Sequence, residues 1–224
     1  MSFVLIGIAL VIAAINWLYV AKKWVKIKYI TKPAVPLALI FWLILNGGFQ
    51  GQLIYFVIGL IFSLAGDIFL MLANEKFVAA LVSFLFAHIA FILGFSSGSP
   101  IFSAAGLILL ILVALNAFEI YRRISNGLKS RGQESFITPV LIYTIVISLM
   151  LVSALLTMVG PNSEWNPFPS LIVSFGALHF GLSDTLLAWN KFVNPIKYGN
   201  LFVIVTYHLA LIMITFGAGI NFQG

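Results

Sequence analysis

The sequence contains no cysteine and few charged residues. The absence of cysteine excludes disulfide bonds and thiol catalysis. Charged residues make up 8% of the 224 residues and hydrophobic residues 62%, whereas about a quarter of a soluble domain is charged. This composition is typical of an integral membrane protein. We therefore predict an all-α, polytopic membrane helical bundle, in which residues 1–224 form a single integral membrane domain.

The formal net charge of +6 does not indicate nucleic-acid binding. The basic residues lie in short connections between apolar runs and are not grouped with aromatic residues on a polar face. The first apolar run is followed, not preceded, by lysines, which is the reverse of the order in a signal peptide. We expect no cleaved signal peptide and no nucleic-acid partner.

Eight apolar runs approach the roughly 20 residues that a helix needs to cross a bilayer. The predicted spans are residues 2–20, 33–49, 52–72, 77–95, 101–121, 138–159, 168–189 and 198–216. The connections between them are short, so the spans form one bundle. The sequence shows no convincing internal repeat, which argues against an inverted-repeat transporter.

The basic residues all fall in the odd-numbered connections of this eight-span topology. Both termini and the even-numbered connections contain none. The positive-inside rule makes the basic side cytoplasmic and places both termini on the opposite side. We expect the chain in the cytoplasmic (inner) membrane of a bacterium. The twelve residues are Lys22, Lys23, Lys26, Lys28, Lys32, Lys76, Arg122, Arg123, Lys129, Arg131, Lys191 and Lys197.

Two acidic residues, Asp67 and Asp184, lie well inside predicted spans. An aspartate at a helix centre costs about 2.5–3.5 kcal/mol on insertion scales, and such residues usually face a bundle interior. Each lies six residues before the cytoplasmic end of its span, which corresponds to a depth of about 9 Å. Two acids at matched depth on different helices predict an active site. The alternative is that each acid only bonds a neighbouring helix.

Three histidines, His88, His179 and His208, share a greater depth of about 16 Å below the same side. Together with an aspartate they are a possible zinc site. However, no two of them are three or four residues apart, and His179 and Asp184 point about 140° apart around one helix. We therefore predict a site without metal, with zinc as an alternative.

Other polar residues have a structural and a functional interpretation. Lys32, at the predicted start of span two, is either a snorkelling anchor or a contact for a lipid phosphate. Tyr143 and Tyr207 either donate hydrogen bonds into the bundle or only pack there. The sequence lacks the G-x-S-x-G, G-x-x-x-x-G-K-[ST] and H-E-x-x-H motifs of other catalytic sites.

Several segments resemble the signatures of one family. Residues 59–72 read GLIFSLAGDIFLML and resemble the GL-x-FS-x-x-GD-x-x-LML signature of the YhhN family. Residues 77–88 fit its F…F-x-x-AH pattern, and residues 176–184, GALHFGLSD, fit its GA-x-x-F-x-x-SD signature. The resemblance extends from about residue 32 to the end of the chain and includes both aspartates.

This resemblance implies a lysoplasmalogenase, an enzyme that hydrolyses the vinyl ether bond of a lysoplasmalogen and releases a fatty aldehyde and a glycerophospho-headgroup. It implies a lysophospholipid substrate within the membrane lipids, and neither metal nor nucleotide as cofactor. We expect Asp67 and Asp184 to be catalytic. The expected substrate-binding or supporting residues are Lys32, Ser63, His88, Tyr143, Ser183 and Tyr207.

A pair of carboxyl groups suits this chemistry. Vinyl ether hydrolysis begins with proton transfer to carbon and passes through an oxocarbenium ion, as glycosidases do with two carboxyl groups. Burial and a neighbouring carboxylate both favour an acid that keeps its proton. The alternatives are a proton-coupled transporter or a lipid-binding membrane protein that uses the same acids, and a zinc-dependent intramembrane lipid hydrolase.

Overall fold

In the computed structural model of the chain, the described residues are 3–22, 24–72, 76–96, 103–160 and 163–222, with only the backbone described for 25–28. Some positions named in the sequence analysis lie outside this description. They are the starts of two predicted spans, residues 2 and 101, together with Lys23 and the side chains of Lys26 and Lys28. Within the described residues the chain is helical and contains no strand. This confirms the predicted all-α class.

Eight α-helices and one short 3-10 helix make up the described part of the chain. Their bounds are α1 Val4–Ala21, α2 Val25–Leu45, α3 Leu53–Met71, α4 Phe77–Phe95, α5 Ala104–Ser130, α6 Ile137–Val159, α7 Pro167–Phe192 and α8 Gly199–Phe222, with the 3-10 helix at Glu134–Phe136 before α6. All but α2 are long and apolar enough to cross a membrane. The chain is thus an integral membrane protein.

The second helix differs from the predicted span 33–49. It begins at Val25 and ends at Leu45, and its apolar part, Tyr29–Leu45, is shorter than those of the other helices. Pro33 and Pro36 lie inside it, although each removes one backbone hydrogen bond. The lysines that lower the hydropathy of this segment are therefore helical residues. As a result, α2 carries Lys32 towards the interior of the bundle.

The fifth helix is longer than the predicted span 101–121, because it continues to Ser130. Arg122, Arg123 and Lys129 therefore lie on its last turns and not in a loop. Glu119 forms ion pairs with both arginines at 2.8 Å on this exposed face. Such polar turns extend a helix beyond the apolar stretch, and hydropathy alone does not detect them.

The last helix, α8, is enclosed by its neighbours. It packs against α7, α1, α2 and α3, whereas α5 lies at the side of the bundle against α6 and α7. Among the described residues, each helix packs against the next one along the chain except α4, which contacts α6 and not α5. The main core includes large, fully buried side chains from several helices: Trp42, Phe56, Phe91, Phe180 and Leu211. This packing brings α2, α3 and α8 together on one side and α4, α6 and α7 on the other.

Candidate active site

Asp67 lies in a buried cluster of polar side chains from three helices. Its Oδ1 is 2.9 Å from the Nζ of Lys32 on α2, and its Oδ2 accepts a 2.9 Å hydrogen bond from the hydroxyl of Tyr207 on α8. The Asp67 side chain is 1% exposed and that of Lys32 is 17% exposed. We call Lys32, Asp67 and Tyr207 the Asp67 cluster. The ammonium group compensates a carboxylate that would otherwise be buried alone.

Asp184 lies in a second cluster, which we call the Asp184 cluster, with Tyr143 of α6 and His88 of α4. The Tyr143 hydroxyl donates to Asp184 Oδ2 over 2.5 Å. His88 Nε2 is 3.2 Å from the same oxygen and 2.9 Å from the Tyr143 hydroxyl. Asp184 Oδ1 takes part in none of the hydrogen bonds among the described residues. One carboxyl oxygen is thus fixed by two partners, while the side chain is 13% exposed.

Two phenylalanines connect these clusters. The Phe180 ring lies 4.7 Å from the His88 ring and 5.6 Å from the Tyr207 ring, measured between centroids. The Phe84 ring lies 5.9 Å from that of Tyr207. The clusters share no residue, and their six polar side chains come from six different helices. The side chains of Phe84 and Phe180 therefore form an aromatic layer between the two aspartates.

A largely apolar cavity of about 490 Å³ lies between α4, α5, α6 and α7. Of the eight site residues predicted from the sequence, Tyr143 and Asp184 line it. Phe84 also lines the cavity. Its ring packs against Gly66, where an added Cβ would lie 2.7 Å from the ring. Gly66 precedes Asp67, so Phe84 stands between the cavity and the Asp67 cluster.

The cavity is elongated along α7. Its lining on this helix runs from Leu178 to Phe192, a distance of roughly 21 Å at the helical rise of 1.5 Å per residue. Asp184 lies between these two ends. The lining is therefore long enough to lie along a hydrocarbon chain, with Asp184 part of the way along it.

The two serines predicted to support the site make contacts between helices. The Ser183 hydroxyl donates to the carbonyl of Val203 over 2.9 Å and so joins α7 to α8. Ser63 is fully buried, and its carbonyl accepts a 3.4 Å hydrogen bond from Tyr207. Its own hydroxyl has no partner among the described residues.

The three histidines lie in three different environments. His88 belongs to the Asp184 cluster. His208 accepts a hydrogen bond at Nδ1 from the Trp17 indole over 3.2 Å. His179 is partly exposed, and its Nδ1 is 2.8 Å from the carbonyl of Phe175. Within the described residues, no three histidine or acidic side chains come together in a way that could hold a metal ion.

Sequence reasoning missed the roles of Phe84 and Phe180. The available signal was spacing: Phe84 precedes His88 by four residues, and Phe180 precedes Asp184 by four. Residues four apart share a helix face. An aromatic residue one turn before both His88 and Asp184 therefore indicated that aromatic side chains pack around the site.

The helical bundle and its buried carboxyl groups define a class, namely polytopic membrane proteins with a polar site inside the apolar region. Within that class, the chain belongs to the YhhN family, whose model matches residues 27–218. The resemblance found in the sequence motifs is thereby confirmed.

Several relatives carry the same functional name. Human lysoplasmalogenase TMEM86B is 30% identical over 188 residues, which are 83% of this chain and 72% of that protein. Human lysoplasmalogenase TMEM86A is 28% identical over 162 residues, or 72% of this chain. The chain spans 63% of the length of that second relative. No solved structure matches the chain.

Proposed function

We propose that this chain is a lysoplasmalogenase-like hydrolase that cleaves the vinyl ether bond of a lysolipid. The observation that carries the proposal is the position of Asp184, whose carboxyl group lies on the wall of an elongated apolar cavity. When the hydrocarbon chain of a lysolipid lies along this cavity, its vinyl ether bond can lie beside the carboxyl group. The names of the relatives support the same reaction.

In the first step, Asp184 acts as the general acid. Its proton moves to the double-bond carbon remote from the ether oxygen, and the electron pair of the double bond forms the new C–H bond. The neighbouring carbon becomes an oxocarbenium ion. The Tyr143 hydroxyl already donates to Oδ2, so it stabilises the carboxylate that this transfer creates. His88 adds a second donor when its proton is on Nε2.

In the second step, water attacks the oxocarbenium carbon and returns one proton to Asp184. One carboxyl group thus alternates between acid and base, as in retaining glycosidases. The product is a hemiacetal. Its bond to the glycerol oxygen then breaks, the hydroxyl proton passes to that oxygen, and a fatty aldehyde and a glycerophospho-alcohol leave.

Asp67 is the second member of the proposed acid pair and carries the negative charge. Its partner Lys32 is 17% exposed, whereas Asp67 is almost fully buried. The negative end of this ion pair therefore faces the interior, where a low dielectric strengthens its effect. The Asp67 carboxylate thereby stabilises the positive charge of the oxocarbenium ion, which forms on the other side of Phe84 and Phe180. Ser63, Ser183 and Tyr207 position the helices that carry the two acids.

The proposal is tested by assaying aldehyde release from an alkenyl lysophospholipid with purified protein. Asp184→Asn should lower kcat by about a hundredfold or more, because it removes the proton donor. Asp67→Asn should also lower kcat. Glu119→Gln is the matched control, since it makes the same change at an exposed acid outside the cavity. Full turnover by Asp184→Asn, or no aldehyde from the wild-type protein, would refute the proposal.

The same assay separates the alternatives. A proton-coupled transporter or a lipid-binding protein would bind the lipid without releasing aldehyde. A zinc-dependent hydrolase would lose activity when treated with a chelator, whereas we expect the activity of this protein to persist.

A further inference from the structure

The cavity ends beside a lysine. Phe77 of α4 and Phe192 of α7 line the cavity near the C-terminus of α7. The Nζ of Lys191 lies 4.7 Å from the centroid of the Phe77 ring. This cation–π contact places an ammonium group at the rim of the cavity, on the side of Asp184 where α7 ends.

An arginine from another helix fixes the backbone at this rim. Arg131, just after α5, donates from Nη1 to the carbonyl of Lys191 over 2.9 Å and from Nη2 to that of Val193 over 2.7 Å. The backbones of α5 and α7 lie close together here. A Cβ at Gly127 of α5 would overlap with the carbonyl of Phe192 of α7. Arg131 thus occupies two carbonyl groups at the negative end of α7 and adds a second positive charge.

The spacing between Lys191 and Asp184 matches the linker of a lysophospholipid. The two residues are seven positions apart on α7, which corresponds to roughly 10 Å. In a vinyl ether lysolipid, about seven bonds separate the carbon that receives the proton from the phosphorus, roughly 8 Å when extended at about 1.2 Å per bond. The flexible lysine side chain covers the difference. Lys32 belongs to the Asp67 cluster, which Phe84 separates from the cavity.

We propose that Lys191 binds the phosphate of the substrate and so sets the register of the vinyl ether bond against Asp184. The inference rests on the proposed function for the identity of the lipid. It adds a headgroup subsite at the end of α7, with the hydrocarbon chain on the opposite side of Asp184, towards Leu178.

Binding of two saturated ether lipids to the purified protein in detergent tests this subsite without requiring turnover. Hexadecyl-glycerophosphocholine carries the phosphate, and hexadecylglycerol lacks it. Lys191→Gln should weaken binding of the phospholipid about fivefold, the effect expected for one interfacial charge. It should leave the affinity for hexadecylglycerol unchanged. Lys191→Arg, which keeps the charge, should restore most of the affinity.

Lys197→Gln is the matched control. Lys197 lies in the connection that follows α7 and contacts an aromatic ring in the same way, with its Nζ 5.5 Å from the Tyr198 ring. Neither Lys197 nor Tyr198 lines the cavity. Equal effects of the two lysine variants, equal weakening of both lipids, or equal binding of both lipids by the wild-type protein would overturn the proposal. Separately, binding without aldehyde release from the alkenyl lipid would refute the hydrolase and not the subsite.

Discussion

At the scale of single residues, the two intramembrane aspartates differ in the way their charge is accommodated. Asp67 has a cationic partner, Lys32, and one tyrosine hydroxyl. Asp184 has a tyrosine hydroxyl and an imidazole, and its side chain reaches a cavity. The first arrangement suits a fixed charge, whereas the second suits a group that gains and loses a proton.

The ion pair of Lys32 and Asp67 leads to a prediction about stability. Lys32→Met leaves a buried carboxylate without its partner, which typically costs about 3–5 kcal/mol. Part of this penalty is removed when Asp67 is neutralised as well. We therefore expect Lys32→Met to lower the thermal unfolding temperature in detergent more than the double variant Lys32→Met/Asp67→Asn does. A double variant that is less stable than Lys32→Met would contradict a salt bridge at this position.

Sequence reasoning identified both aspartates but not their partners. The cost of an acid inside a span and the matched depth of the two acids were sufficient to select Asp67 and Asp184. Which side chains meet them depends on the rotation of each helix and on the choice of neighbouring helices. Hydropathy does not encode either quantity, so Tyr143 and Tyr207 could be named as donors from the sequence but not assigned to one aspartate each.

At the scale of the helices, close packing depends on small residues at particular contacts. Gly59 on α3 faces α4, and a Cβ at this position would overlap with the Phe91 ring. Phe91 is fully buried against other aromatic side chains. The Phe91 ring therefore has little room to move. The close approach of α3 and α4 requires a residue without a side chain at position 59.

Replacing Gly59 should thus separate α3 from α4. We expect Gly59→Ala to destabilise the protein by about 1–3 kcal/mol, the usual cost of overpacking a filled core. Gly7→Ala is the control, because no atom lies within 4 Å of a Cβ built at Gly7 on α1. Thermal unfolding in detergent measures both. A Gly59→Ala protein as stable as Gly7→Ala would show that this contact is not close-packed.

Helix bounds were predicted well where a span is purely apolar and poorly where it is mixed. The span 77–95 agrees with α4 at both ends. The predicted start of the second span was wrong by eight residues. Lysines and prolines lower the average hydropathy of a helical segment to the value typical of a loop. In the structure, α2 packs against α1, α3 and α8, and hydropathy does not report such contacts.

At the scale of the whole molecule, the orientation in the membrane remains a prediction from charge. The odd-numbered connections carry the basic residues, and we expect them in the cytoplasm. The chain has no cysteine, so a single introduced thiol reports its own position. Ser130, at the end of α5, and Ser96, after α4, are both exposed and lie in connections of opposite predicted sidedness.

Labelling with a membrane-impermeant maleimide checks this orientation. Ser96→Cys should react in intact spheroplasts, whereas Ser130→Cys should react only after the membrane is opened. The wild-type protein gives the background of the label. The opposite pattern would invert the topology, and labelling of both variants in intact spheroplasts would contradict a membrane crossing by α5.

The distribution of the six polar site residues over six helices has a consequence for synthesis. Tyr207, the partner of Asp67, lies on α8, which leaves the ribosome after α1 to α7. A chain that has inserted its first seven helices still lacks one wall of the Asp67 cluster and the helix that most of the others surround. The Asp67 cluster is therefore complete only after α8 has been inserted, and any function that depends on this cluster reports the insertion of α8.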